Sequence, residues 1–178
     1  FTTTGAGHDI TLNTSANAMA AVAFTTAGGN VTLNNGSTNV AINASTIVGS
    51  LTVTTSGTIG QGGAISCAAG TFNTTAADKT ITLSNVGNAM TGTLIFSTLG
   101  TVGHVTLNNG STAVSLGAST VNGNLSITAA QSIAQTAAIT VTGTGSFTTT
   151  GAAHPVTLNS GSNAVTGAGS FSTASGDV

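Results

Sequence analysis

The 178-residue sequence has no tryptophan or tyrosine, a single proline, a single cysteine and one residue in the combined lysine and arginine count. Lys79 is that one cation, and Asp9, Asp78 and Asp177 are the only acids, so the formal net charge is −2. Neutralising phosphates takes several Lys or Arg on one surface, so the composition predicts no nucleic-acid partner and no attraction to anionic membranes. The longest apolar run, residues 18–24, is seven residues. A spanning helix needs roughly 18 to 20, so no membrane insertion is expected. The chain begins with neither Met nor a charged start followed by an apolar stretch, and no signal peptide is read in it. One cysteine cannot close an internal disulfide, which leaves the redox compartment open.

What is present is repetition. Residues 30–38 read NVTLNNGST and residues 104–112 read HVTLNNGST, an offset of 74. The offset also relates Ala44-Ser45-Thr46 to Ala118-Ser119-Thr120, Leu51 to Leu125, Ile59 to Ile133 and Ile65 to Ile139. A third copy opens at Phe147, where FTTTGAAHPVTLNSGSNAV repeats FTTTGAGHDITLNTSANAM from Phe1 and FNTTAADKTITLSNVGNAM from Phe72. The sequence thus divides into long repeats at about 1–71, 72–146 and a partial 147–178, within a single segment 1–178. Its last residues, FSTASGDV, match FTTAGGNV at 24–31 and stop where that earlier copy continues, so a longer parent chain is expected.

Gly, Ser, Thr, Asn and Ala dominate, as in low-complexity disorder. Yet Val, Ile, Leu and Phe supply 40 of the 178 residues, and they fall at period two. Ile10-Thr11-Leu12, Val31-Thr32-Leu33, Ile81-Thr82-Leu83, Val105-Thr106-Leu107 and Val156-Thr157-Leu158 show the spacing of strands with one face buried. No 3.6-residue stripe persists, and stiff β-branched residues with recurrent Gly oppose helix. Within each long repeat, Phe1, Phe24, Leu51, Phe72, Phe96, Leu125, Phe147 and Phe171 mark a shorter period of 21 to 29 residues. These marks predict an all-β, right-handed parallel β-helix, a β-solenoid with about 24 residues per coil, three coils per long repeat and seven complete coils. The scarcity of charge fits this fold: equivalent residues stack about 4.8 Å apart, where like charges repel by about 1 kcal/mol even in water. Asn17, Asn88 and Asn163, and separately Asn35 and Asn109, recur at equivalent turns and suggest amide ladders.

The coil style of residues 145–171, GSFTTTGAAHPVTLNSGSNAVTGAGSF, and of residues 119–143, STVNGNLSITAAQSIAQTAAITVTG, resembles the passenger regions of filamentous-haemagglutinin-like two-partner-secretion exoproteins and autotransporter adhesins of Gram-negative bacteria. The likeness runs along essentially the whole sequence, but the family's secretion-signalling cap is not in it. It implies a secreted or surface-exposed stalk serving adhesion, biofilm or a filament, and it supplies no catalytic residue.

The chemically distinctive residues have structural readings. Cys67 aligns with Val141 across the 74-residue offset, which makes it inward filler. His8, Lys79 and His154 fall seven residues after Phe1, Phe72 and Phe147, and three coils per repeat would stack them roughly 14 Å apart in one turn column, too far to share a zinc ion. His104 has no second histidine beside it. Asp9 and Asp78 are expected in adjacent columns three coils apart and Asp177 in another turn, so the paired carboxylates of β-helical polysaccharide lyases and hydrolases are missing. No Ser-His-Asp arrangement stands out, and repeated calcium-binding nonapeptides are absent. Glycan acceptor triplets begin at Asn13, Asn30, Asn35, Asn43, Asn73, Asn109 and Asn124, as an Asn- and Thr-rich composition produces by itself.

The expectation is therefore a non-enzyme with no catalytic residue, cofactor or metal: a stiff extracellular segment whose partners are further coils of its own chain or identical subunits end to end, with host or environmental surfaces and glycans as possible targets. Two alternatives stand beside the stalk. One is a self-assembling filament subunit. The other is an ice-binding solenoid that uses outward Thr11, Thr32, Thr82, Thr106 and Thr157 with the Asn or Ser two residues on, although coils such as 51–71 interrupt that pattern.

Overall fold

The computed structural model describes residues 1–175 and is built from strands and turns alone, with no helix among them. All pairing is parallel, in sheets of five, eleven and eight strands, so the chain winds as a β-solenoid of about nine coils. Three flat faces result. The first stacks Thr2–Thr3, Thr25–Thr26, Ser45–Ile47, Ile65–Cys67 and Ala89–Met90. The second begins with Ile10–Leu12, Val31–Asn34, Ser50–Thr55, Ala69–Ala77 and Thr93–Leu99. The third runs from Ala21–Val22 through Ile81–Leu83 and Val105–Asn108 to Gly169–Thr173. The long strand Thr93–Leu99 carries Val114–Leu116 on its first half and Ser119–Val121 on its second, so the corners of the rod migrate as it rises.

Alternation decides what is inside. In Ser50–Thr55 the inward Leu51, Val53 and Thr55 are buried while Ser50, Thr52 and Thr54 are half-exposed, the two-residue period anticipated from the sequence. Inward residues of every coil join one continuous core, from Ile10 through Leu33, Phe72 and Ile127 to Val156. Phe24, Phe72, Phe96 and Phe147 are buried in it. Phe1 and Phe171, also read as inward, remain 56% and 45% exposed, because they occupy the outermost described coils and each has a stacked ring on one side only. The ring pairs Phe1–Phe24, Phe72–Phe96 and Phe147–Phe171 have centroids 5.8, 5.8 and 5.6 Å apart. Such stacking adds about 0.5–1.5 kcal/mol to each pair beyond burial. Room for the Phe72 ring comes from Gly70, where a Cβ would lie 2.7 Å from Phe72 Cε2.

The coil is shorter than the sequence marks suggested. Leu51 pairs with Gly70, a step of 19 residues, and Gly145 with Gly169, a step of 24, which bracket the coil lengths. The long repeat accordingly does not close on three coils but runs past them. Phe24 does not stack on Leu51, the next mark; its backbone N–H is held by Ser45 Oγ, and Ser45 in turn pairs with Ile65. Three coils therefore carry the chain from Phe1 to Ile65, and seven further residues bring it to Phe72 on the next face. The second repeat does the same: Phe72 pairs with Phe96, Phe96 N–H reaches Ser119 Oγ, Ser119 pairs with Ile139, and Phe147 follows on the third face. Each long repeat thus spans three coils and about a third of another. The physical reason is that stacking is made by backbone hydrogen bonds, which accept Ser over Phe as readily as Phe over Phe.

Candidate functional site

Because equivalent residues turn by one face per repeat, His8, Lys79 and His154 do not form a column. His8 precedes Ile10–Leu12, Lys79 precedes Ile81–Leu83 and His154 precedes Val156–Thr157, at successive edges of the rod. The adjacent columns expected for Asp9 and Asp78 dissolve for the same reason, and Asp177 lies outside the described residues. Among the described residues no group of three His, Cys, Asp or Glu side chains comes together.

The edge residues instead tie one coil to the next. Asp9 Oδ1 accepts the Asn30 N–H at 2.7 Å, and Asn30 Oδ1 accepts the Ser50 N–H at 2.9 Å. In the second repeat His104 Nδ1 accepts the Asn124 N–H at 2.9 Å, and Asn124 Oδ1 accepts that of Thr144 at 2.9 Å. His104 thus stands in for the Asn of the first repeat. Asp78 takes a left-handed backbone, φ 61°, and its Oδ1 accepts the N–H groups of Thr101 at 2.7 Å and Val102 at 3.0 Å. The Val102 amide foremost, then that of Thr101, holds this carboxyl below the ordinary carboxylate range, with Lys79 adding to the effect. Cys67 is buried between Ile65 and Met90 on the first face, and burial pushes its thiol up to about 12, so at neutral pH it is an unreactive apolar filler.

The asparagines make no ladder of stacked amides. Asn35 and Asn109 are fully buried, and each side chain takes the place of a strand residue. Asn109 Oδ1 accepts the Met90 N–H at 3.0 Å while its Nδ2 donates to the Met90 carbonyl at 2.9 Å; Asn35 does the same for Met19 at 2.8 Å each. Asn88 and Asn163 accept the N–H groups of Ile65 and Ile139 at 2.9 and 3.0 Å and pair with Gln61 and Gln135 of the preceding coil. These Gln partners escaped the sequence reading. Their signal was there, since Ile59-Gly-Gln61 recurs as Ile133-Ala-Gln135. Among the described residues no buried side-chain nitrogen or oxygen lacks a partner.

What remains for a ligand is the outer surface, and it is a lattice of hydroxyls and amides. On the second face Thr11, Thr32, Thr52 and Thr71 stack in four successive coils before Ile95 ends the column. Beside it run Asn34, Thr54, Asn73, Ser97, Thr120 and Thr140. On the third face Thr82, Thr106, Ser126, Ser146 and Ser170 form another column. The Thr set picked out from the sequence is therefore divided: Thr11 and Thr32 lie on the second face, Thr82 and Thr106 on the third, and Thr157 stacks over Ala134 on the branch that leaves the first half of Thr93–Leu99. Residues 51–71 continue the Thr11 column rather than interrupt it. Rows lie about 4.8 Å apart along the rod and columns about 6.7 Å apart across it, twice the rise per residue.

No curated protein and no solved structure matches the chain. A family model described as repeats of unknown function matches twice, at residues 28–97 and 102–172. Its two copies start 74 residues apart, the offset at which the sequence repeats and the strands turn by one face. With most of its length so matched, the chain belongs to the DUF5649 family of repeats of unknown function.

Proposed function

We propose that this chain is a non-enzymatic structural rod, a stiff spacer segment of a secreted or cell-surface protein. The observation that carries the reading is the unbroken core: one cluster of inward side chains extends from Ile10 to Val156, with parallel strand pairing along the described residues. A solenoid of this kind transmits load through stacked backbone hydrogen bonds along its whole length, and every repeat contacts its neighbours. The bacterial exoprotein resemblance supports placement outside the cell as a stalk, with further coils of the same chain as the natural continuation.

Electron microscopy of polypeptides carrying additional repeats tests the rod. Each 74 residues of three and a third coils should add about 16 Å of length at about 4.8 Å per coil. Particles that coil up or lengthen irregularly would defeat the reading. The mass of the native polypeptide under denaturing conditions distinguishes its two forms. A mass many times 16.9 kDa fits a stalk within one large exoprotein, and one near 16.9 kDa fits subunits stacked end to end.

The four-coil Thr column favours a second reading, an ordered-water or ice-binding surface on the second face. Thermal hysteresis that disappears in Thr52→Glu would support it; no hysteresis in the unaltered chain would dismiss it.

A further inference from the structure

Three Asn-Gly dipeptides occur, at Asn35-Gly36, Asn109-Gly110 and Asn122-Gly123. The fold treats them differently. The first two asparagines are fully buried, and their carboxamides are held at Met19 and Met90 by the paired bonds already described. Each of their following glycines sits at a left-handed turn, φ 55° and 54°, directly against backbone carbonyls of the preceding coil. Asn122 is half-exposed at a rod edge, in a bend between Ser119–Val121 and Leu125–Ala129. Its backbone is anchored, with N–H to Thr98 Oγ1 at 3.0 Å and carbonyl to the Gly103 N–H at 3.2 Å. Its side-chain amide has no protein partner among the described residues, and the Gly123 N–H donates to none. The first repeat has Val48 at the equivalent place, so the fold does not require an amide here.

We propose that Asn122 is a deamidation site, a place where this nearly uncharged rod gains a negative charge with age. The Gly123 nitrogen gives up its proton to solvent hydroxide and attacks Cγ of Asn122. The bond from Cγ to the side-chain nitrogen breaks and ammonia leaves, closing a five-membered imide. Water then opens the ring at either carbonyl, giving aspartate or isoaspartate; the sum is amide plus water to carboxylate plus ammonium, with no redox change. Gly123 is itself buried against the Gly103 backbone, but its N–H and the Asn122 carboxamide make no hydrogen bond among the described residues. The Gly36 and Gly110 N–H groups, in contrast, donate to Asn34 Oδ1 and Asn108 Oδ1, and the Asn35 and Asn109 carboxamides are held. Asn122 is thus the dipeptide whose reacting groups are not tied by hydrogen bonds. The isoaspartate product inserts a backbone methylene between residues 122 and 123 and pulls on the Thr98 and Gly103 anchors.

The test is to incubate the folded chain at mildly alkaline pH and follow peptides containing each dipeptide by mass. Asn122 is expected to gain one mass unit at least roughly tenfold faster than Asn35 or Asn109, whose reaction must wait for local opening costing more than about 1.4 kcal/mol. In denaturant the three should react at similar rates. Asn122→Val, which installs the residue of the first repeat, should leave the folded chain free of the early acidic species on isoelectric focusing. Equal rates at the three sites in the folded chain, or undiminished acidification of the Val variant, would overturn the proposal.

Discussion

At the scale of single residues, the two-residue alternation makes neighbours behave oppositely. Val105 is buried on the third face and Thr106 beside it is half-exposed. Val105→Asp places an unpaired carboxylate in the core, and a loss of about 3–5 kcal/mol is expected, whereas Thr106→Asp should stay within about 0.5 kcal/mol. Thermal melts of the two variants measure this, and equal losses would contradict the inward and outward assignment. Asp78 gives a pH signature. Its folded carboxyl titrates below its ordinary value, so its stabilising contribution is complete above about pH 4 and fades as pH falls through the lower folded value. Asp78→Asn keeps an acceptor oxygen and tolerates the positive φ, so its corner should hold in acid. Amide exchange at Thr101 and Val102 across that range reads the difference; the same acid response in both proteins would show that another group governs the corner. The inward assignments and the role of Cys67 as a Val substitute were legible, because parity along a strand needs only the sequence. The duty of His104 as an edge acceptor was not, since it depends on which residue of the next coil lies over it.

At the scale of the strand and its corner, buried amides complete what the backbone leaves open. The first face runs out of strand after Ala89–Met90, and Asn109 supplies both the donor and the acceptor that a further strand residue would have offered. Asn109→Ala leaves two buried backbone groups of Met90 unpaired, at about 1–3 kcal/mol each. Asn35→Ala removes the same pair of bonds at Met19, which is only half-buried, so its loss should be smaller. Denaturant titration of both variants checks the order, and a larger loss at Asn35 would mean that solvent does not substitute at Met19. Strand positions could be read from alternating Val, Thr and Leu. Coil length could not, because Phe24 and Leu51 look like equivalent marks although Phe24 stacks over Ser45 and Leu51 over Val31. Side-chain similarity identified the repeat, but the backbone sets the stack, and only the second carries the register.

At the scale of the whole molecule, the all-β solenoid and its repeats were legible, while the coil count of about nine in place of seven was not. The error is physically informative: a 74-residue repeat with coils of 19 to 24 residues cannot close on an integer. Deleting residues 31–104 removes one such repeat and joins Asn30 to Val105, whose VTLNNGST copies that of Val31. Val105 then falls over Ile10, where Val31 stood, and the shortened chain should retain a cooperative β-sheet melt by circular dichroism. Loss of that cooperative transition would show that the turn between repeats cannot be reset. The stacked phenylalanines make the first face bulkier in one stretch, the second in the next and the third after that. Any tendency of a bulky side to bow the rod is consequently pointed in three directions in turn. Over three repeats, ten coils or about 48 Å, those tendencies cancel. A gene that lengthens by duplicating its 74-residue unit would therefore extend a straight shaft, with growth in copy number producing reach rather than curvature.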